Sequence, residues 1–285
     1  MAQSLNPESG LARRHPSGSD VPGPNRVWYF ARALLIGYAA LTAYISLAPL
    51  AGVRHGPWST PTLTVVGFAF ALWHAWLYLG RGRTLVLLAL TIGVSLAFES
   101  VGVVTGWIYG PYHYTDLLGP RFLGLVPYLI PVAWFMMIHP SQVIAERLLA
   151  GRRLEGWRRG LALSALAAVV MTSWDLLMDP MMVWMGAWVW EVPGAYFGVP
   201  AHNYAGWLVT TVVVYGAYRL VEGRIGSPPR ATTSEASLAV WAFLITWSGN
   251  TLAALQFGLG GPALVGAFTA GLLGCLALLR TPLDP

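Results

Sequence analysis

Eight apolar stretches are the feature of this 285-residue chain that most constrains its fold. A helix rises about 1.5 Å per residue, so each stretch is long enough to cross a hydrocarbon layer about 30 Å thick. Since lipid offers the backbone no hydrogen-bond partners, such stretches are expected to cross as helices. We therefore predict an all-α polytopic membrane bundle with about eight transmembrane helices. The predicted spans are 27–50, 61–80, 84–105, 127–149, 160–180, 203–222, 236–257 and 262–280.

The composition points to a membrane protein as well. Hydrophobic residues make up 56% of the chain and charged residues 10%. A soluble domain carries about 25% charged residues, so this chain has too little polar surface to cover a water-exposed globule. The net charge is +5, but all 17 basic residues are Arg, and their positions follow membrane orientation rather than a binding groove. We expect the lipid bilayer as a partner and no nucleic acid.

The arginines also predict the orientation. Fifteen of the 17 fall on one side of the predicted bundle, and Arg54 and Arg121 fall on the other. Because cytoplasmic connections carry the excess of Arg, we predict a multi-pass cell-membrane protein with both termini in the cytoplasm. Residues 1–25 are rich in Pro and lack the apolar core of a signal peptide. They are predicted to form a disordered cytoplasmic tail before a single transmembrane domain, 26–285.

Two connections are long, 106–126 and 181–202, and the arginines place both on the outer side. Connections of this length in a compact membrane domain are usually functional, and we predict them to be re-entrant or partly helical. Pro180 is predicted to end the fifth span. His139, followed by Pro140, is expected to bond a backbone carbonyl that the proline leaves free.

Three acidic residues are predicted to lie inside the bilayer. Glu99 and Asp175 lie about 22 Å from the cytoplasmic ends of their helices and Asp179 about 28 Å, so the first two share a level in the outer third. Asp175 and Asp179 are four residues apart and share a helical face. Ionisable groups at this depth are costly and mark a site by default, so we predict all three as catalytic. The alternative is structural, with these acids bonding Trp or Tyr or pairing with Arg54 or Arg121.

Aromatic and polar side chains are concentrated in and beside the two long connections. Aromatic residues at this level commonly form an interfacial belt, but their ring faces also stabilise a cation. A metal site could be drawn from the histidines here, but no metal-ligand spacing supports it, and no metal is expected. The pair Asp175 and Asp179 also matches a diphosphate–Mg²⁺ motif, which lacks a second acid-rich motif here. The predicted substrate-binding residues are Tyr109, Tyr112, His113, Tyr114, Trp134, Trp174, Trp188, Tyr196, His202 and Asn203.

Two blocks within 95–210 carry a family resemblance. The first block contains Glu99, Gly102, Thr105, Gly106, Gly110, Tyr112, Tyr114, Leu118, Gly119, Pro127, Pro131 and Trp134. The second contains Trp174, Asp175, Asp179, Pro180, Trp188, Trp190, Tyr196, Phe197, Gly198, Pro200, Asn203, Gly206 and Trp207. Together they resemble the core of the integral-membrane carotenoid-biosynthesis proteins that include the carotenoid 1,2-hydratases of the γ-carotene and bisanhydrobacterioruberin type.

The resemblance implies addition of water to the terminal C1=C2 bond of an acyclic (ψ) carotenoid end, without an organic cofactor. A membrane-embedded carotenoid is the implied substrate, and other carotenoid-pathway enzymes are candidate partners. Protonating C2 leaves a tertiary cation at C1, which requires a strong acid in a dry pocket. Burial penalises the carboxylate, so Glu99 or Asp175 is expected to stay protonated and donate while the other is ionised. Asp179 is expected to position the water.

Two other functions stay open at this point. A carotenoid cyclase protonates the same bond but captures the cation with the C5=C6 bond. A proton-coupled transporter would use buried carboxylates as a relay, although the chain shows no inverted repeat. The sequence does not identify the carotenoid, the number of ends that react, the oligomeric state or the donating carboxyl.

Overall fold

Helices occupy all eight predicted positions, so the all-α polytopic class is confirmed. The computed structural model describes residues 26–54, 56, 58–229 and 231–280. The predicted tail, 1–25, lies outside the described residues. The helices are α1 (Arg26–Leu47), α2 (Ser59–Leu79), α3 (Arg81–Thr105), α4 (Leu129–Leu148), α5 (Gly156–Trp184), α6 (Ala201–Glu222), α7 (Thr233–Gln256), α8 (Gly260–Gly266) and α9 (Leu272–Leu279). A π-helical turn, Ala267–Gly271, joins α8 and α9 into one span.

Six of these spans are long and apolar enough to cross a membrane, and α4 and α6 are not among them. Helix α4 lies at the centre, where it packs against α2, α3, α5, α7 and α9. Its polar side chains, including His139, Gln142 and Arg147, are buried. A helix surrounded by protein needs no apolar surface toward lipid, because its polar groups find partners in neighbouring helices.

Local sequence signals set several helix ends. Thr232 and Glu235 form a capping box at the start of α7, in which each side chain accepts a hydrogen bond from the other residue's backbone N–H. Gly106 ends α3 in the left-handed region, with φ of 70°, and its N–H donates to the carbonyl of Gly102. A glycine adopts this conformation without steric cost, so the chain turns sharply into the first long connection.

The prediction that Pro180 ends the fifth span is wrong, because α5 continues to Trp184. Proline has no N–H, so it cannot serve the carbonyl four residues earlier, that of Leu176. The hydroxyl of Tyr196 donates to this carbonyl at 2.9 Å. The second connection therefore supplies the hydrogen bond that the proline removes, and the helix continues.

Replacing Tyr196 by Phe should lower the free energy of unfolding by about 1 kcal/mol, because the Leu176 carbonyl loses this donor. Thermal unfolding in detergent measures the effect. The control is Tyr128→Phe, since Tyr128 is 53% exposed. An unchanged midpoint for Tyr196→Phe, equal to that of the control, would show that the helix tolerates Pro180 without this bond.

The two long connections pair with each other instead of forming re-entrant helices. Strand β1 (Tyr112–Tyr114) pairs antiparallel with β4 (Trp188–Trp190), in the register Tyr112 to Trp190 and Tyr114 to Trp188. Between them, β2 (Arg121–Phe122) pairs with β3 (Val126–Pro127). The partly helical prediction holds only for short turns such as the 3-10 turn Asp116–Leu118.

The ribbon of β1 and β4 is held against the helices by a close backbone approach. A Cβ atom at Gly206 on α6 would collide with the carbonyl oxygen of Ile108 and with the ring of Tyr109. Glycine at this position lets the first connection lie directly on α6. The inward-facing side chains of β1 and β4 thereby meet the ends of α3 and α5.

His139 does not bond a backbone carbonyl, so that expectation is wrong. Its Nε2 lies 2.8 Å from Nδ1 of His74, whose Nε2 lies 2.9 Å from the carbonyl oxygen of Glu235. Because a carbonyl only accepts, His74 Nε2 carries a hydrogen and its neutral ring accepts from His139. His74 belongs to no motif that would have marked it in the sequence. This buried pair joins α2 to α4.

Candidate active site

A cavity of about 330 Å³ lies at the end of the bundle where α1, α3, α5 and α7 finish, which we call the upper end. Side chains from α1 to α7 and from β1 and β4 line it. Much of its wall is apolar and includes Met136, Met178, Met181, Met182 and Met185. Unbranched methionine side chains adapt to irregular apolar ligands. The cavity suits a flexible hydrocarbon end.

Glu99, near the end of α3, is 4% exposed and accepts three hydrogen bonds. The hydroxyls of Tyr112 and Tyr114 donate to its Oε2 at 2.5 and 2.8 Å, and the indole N–H of Trp134 donates to its Oε1 at 3.2 Å. Strand alternation points both tyrosines inward from β1. Each of these hydrogen bonds would stabilise a negative charge on Glu99 and so opposes the cost of burying that charge.

Asp175 and Asp179 share one donor. The side-chain amide of Asn203 donates to Oδ2 of Asp175 at 3.1 Å and to Oδ2 of Asp179 at 2.5 Å. Trp188 on β4 donates from its indole N–H to Oδ1 of Asp179 at 2.6 Å. Oδ1 of Asp175 is buried and has no hydrogen-bond partner within the described part of the chain.

The three carboxyls belong to one electrostatic group, since Glu99 interacts with both aspartates. Among the described residues none of them forms a salt bridge, and Arg121 pairs instead with the exposed Asp116 at 2.6 Å. The predicted alternative of pairing with Arg54 or Arg121 is therefore wrong. The other part of that structural alternative, hydrogen bonding to Tyr and Trp side chains, is confirmed for Glu99 and Asp179.

Ring faces cover the site. The rings of Trp134 and Trp207 stack with centroids 4.3 Å apart, and Trp174 meets Trp207 edge-on at 6.1 Å. On the ribbon, the ring of Tyr112 lies 5.0 Å from that of Trp190. Trp190 and Trp207 were not among the predicted site residues, although both line the cavity. The alternation of aromatics at 188 and 190, matching that at 112 and 114, is the signal that would have identified Trp190.

Most of the predicted site residues lie together. Asp175 lies behind the cavity wall, linked to it through Asn203. The predicted residues that line the cavity are Glu99, Tyr109, Tyr112, Tyr114, Trp134, Trp174, Asp179, Trp188 and Asn203.

The structure does not bring three predicted substrate-binding residues to the cavity. His113 is exposed because it occupies the outward position of β1, between two inward tyrosines. His202 is exposed in the first turn of α6, although its neighbour Asn203 is buried. The hydroxyl of Tyr196 donates a hydrogen bond to the carbonyl of Leu176. These three side chains do not line the site.

Comparisons with known proteins cover this region. The sequence profile of a family described as "Carotenoid biosynthesis protein" matches residues 59–273, which include all three carboxyls. The bisanhydrobacterioruberin hydratase of Haloarcula japonica is 37% identical over 173 residues, covering 60% of this chain and 57% of that protein. The chain thus matches little more than half the length of this curated relative. No solved structure matches the chain.

Proposed function

This chain belongs to the carotenoid biosynthesis protein family, and on that basis we propose that it is a carotenoid hydratase. It would add water to the terminal C1=C2 bond of an acyclic carotenoid end and produce a tertiary alcohol. The observation that carries the proposal is one apolar cavity that combines buried carboxyl groups with a wall of aromatic rings. The similarity to a bisanhydrobacterioruberin hydratase supports hydration over other chemistry.

The three carboxyls would have different protonation states and roles, which their hydrogen bonds determine. Like charges close together in an apolar site do not all ionise, so at least one carboxyl keeps a proton. Glu99, with three donors, is the best candidate for the ionised group. Asp175 and Asp179 would then share a proton. Asp179 lines the cavity and would donate it, while Asp175 lies behind and would carry the negative charge of the pair. This assignment replaces the expectation that Glu99 or Asp175 donates.

The reaction would begin with transfer of a proton to the substrate. The π electrons of the C1=C2 bond form a new C2–H bond with the proton of Asp179, which leaves a carboxylate and a tertiary cation at C1. Ring faces and the carboxylate of Glu99 stabilise the cation. Water forms a C–O bond to C1, and its surplus proton passes to Glu99. Exchange with solvent returns Glu99 and Asp179 to their starting states.

The position of the cavity suits a membrane-embedded substrate. Both Glu99 and Asp179 lie less than two turns from the upper ends of their helices. A carotenoid is about as long as the hydrocarbon layer is thick, so its end group naturally lies near an interface. From the distribution of Arg we propose that the upper end faces outward in the cell membrane and that both termini are cytoplasmic.

Expression in a bacterial strain that accumulates lycopene or γ-carotene tests the function. We expect a new pigment whose mass exceeds that of the precursor by one water molecule for each reacted end. The control is the same strain with an empty vector. A cyclised pigment of unchanged mass would identify a cyclase instead, and an unaltered pigment profile with the protein present in the membrane would contradict the proposal.

A further inference from the structure

Polar side chains line a second wall of the cavity, away from the carboxyls. The carboxyls belong to α3 and α5, whereas this wall is built from α1, α2 and α7. It includes the hydroxyl groups of Ser46 and Thr60 and the amide of Asn250. Neither the mechanism above nor the family resemblance uses these residues.

Other polar side chains of the same wall donate hydrogen bonds to backbone carbonyls. The hydroxyl of Thr64 donates to the carbonyl of Thr60 at 3.0 Å, and the amide of Gln256 donates to the carbonyl of Ser46 at 2.6 Å. The hydroxyl of Thr42 donates to the carbonyl of Tyr38. These bonds use the hydroxyl hydrogens of Thr42 and Thr64 within their own helices, and the bond from Gln256 joins α7 to α1.

Ser46, Thr60 and Asn250 differ from that group. In the part of the chain that the structure describes, no hydrogen bond engages their side-chain oxygen or nitrogen atoms. Thr60 and Asn250 are only half-buried, so their polar atoms face open space. An amide offers two donors and one acceptor oxygen, and a hydroxyl offers both functions, which is the combination that binds water.

Thr60 and Asn250 lie at different depths between the upper surface and the level of the carboxyls. Asn250 lies six residues before Gln256, where α7 ends, and Glu99 lies six residues before Thr105, where α3 ends. Both are therefore about 9 Å below the upper helix ends. Thr60 lies in the first turn of α2. The polar groups thus descend from the surface to the level of the acid site.

We infer that Ser46, Thr60 and Asn250 form a water entrance, which delivers the attacking water to the C1 cation. The inference rests on the proposed hydratase function. A tertiary cation in an otherwise apolar cavity survives only briefly, so the water must already be positioned when the cation forms. Without it, a C–H bond beside C1 breaks, its electrons restore an alkene, and the proton passes to a carboxylate.

This competition gives a test that does not depend on how much protein folds. In D₂O, water capture yields the deuterated alcohol, while proton loss returns alkene that carries carbon-bound deuterium. Purified wild-type protein is supplied with lycopene in detergent, and mass spectrometry measures the ratio of alcohol to deuterated or cyclised alkene. Asn250→Leu should lower this ratio at least about tenfold, because leucine offers no hydrogen bond to hold the attacking water. Thr60→Val should lower it less.

Two further variants isolate the effect. Thr64→Val is the matched control on α2, because its hydroxyl is already bound to a backbone carbonyl, and its ratio should equal that of the wild type. Asn250→Ser keeps a hydrogen-bonding group and should restore most of the ratio. If Asn250→Leu does not accumulate, Thr60→Val and Thr64→Val decide the question between them.

The outcomes separate the two hypotheses. Equal ratios for wild type, Asn250→Leu and Thr60→Val would overturn the water entrance while leaving hydration intact. A wild-type protein that forms neither alcohol nor deuterated alkene would overturn the hydratase function itself.

Discussion

Replacing Asp179 by Asn is expected to lower the rate of carotenoid hydration by about 100-fold or more, since a general acid typically contributes between about 10² and 10⁴. The amide has nearly the shape of the carboxyl group but no acidic proton. It can still accept from Trp188, although its amino group then faces the amino group of Asn203. Pigment conversion by purified protein, normalised to the monodisperse fraction, measures the effect.

The control for this variant is Asp116→Asn. Asp116 is an exposed acid paired with Arg121 in the first connection. Because exposed ion pairs contribute little, this change should leave the rate within about twofold of wild type. A rate for Asp179→Asn close to that of Asp116→Asn would remove Asp179 from the chemistry.

Glu99→Gln should be comparably damaging, with a loss of about 100-fold. The proposed role of Glu99 is to stabilise the cation with its negative charge, and glutamine is neutral. Its amino group would also face one or more of the three donors from Tyr112, Tyr114 and Trp134. Because the charge acts on the cation rather than on the bound hydrocarbon, kcat should fall much more than KM rises.

The tyrosine variants provide the comparison for Glu99. Tyr112→Phe and Tyr114→Phe each remove one of three donors and leave the carboxylate in place. A hydrogen bond to a charged group is worth about 1.5–3 kcal/mol, so each should lower the rate by about tenfold or more. Full activity in Glu99→Gln, or an increase in KM alone, would contradict the proposed role.

The depth of the carboxyls is the part of the site that the sequence predicts best. An acidic residue within an apolar span has few explanations, so the sequence alone selects Glu99, Asp175 and Asp179 as candidates, and all three are buried. Which of them faces the cavity was not predictable. That depends on the rotation of α5 against α6, which brings Asn203 between Asp175 and Asp179 and leaves Asp175 behind the wall.

The two connections show where local patterns were insufficient. Pro180 usually marks a helix end, but a hydroxyl 16 residues later serves the carbonyl that it leaves free. Such a contact between distant residues has no local signature. The β ribbon did have one, the alternation of aromatics in Tyr112 to Tyr114 and in Trp188 to Trp190.

Residue type also misled the choice of ligand contacts. His113 and His202 were selected as polar side chains in or beside the two long connections, yet both are exposed. The alternation in β1 would have placed His113 outward. Asn250 was missed for the opposite reason, since a single amide in an apolar helix belongs to no motif. Only the cavity wall formed by α1, α2 and α7 gives it a context.

The origin of the oxygen atom tests the central claim most directly. Purified protein is incubated with an acyclic carotenoid in water enriched in a heavy oxygen isotope, and the product is analysed by mass spectrometry. Addition of water to the C1=C2 bond predicts one heavy oxygen atom at each reacted end, at C1. A hydroxylated product without the heavy isotope, or a product isomeric with the substrate, would contradict hydration by this protein.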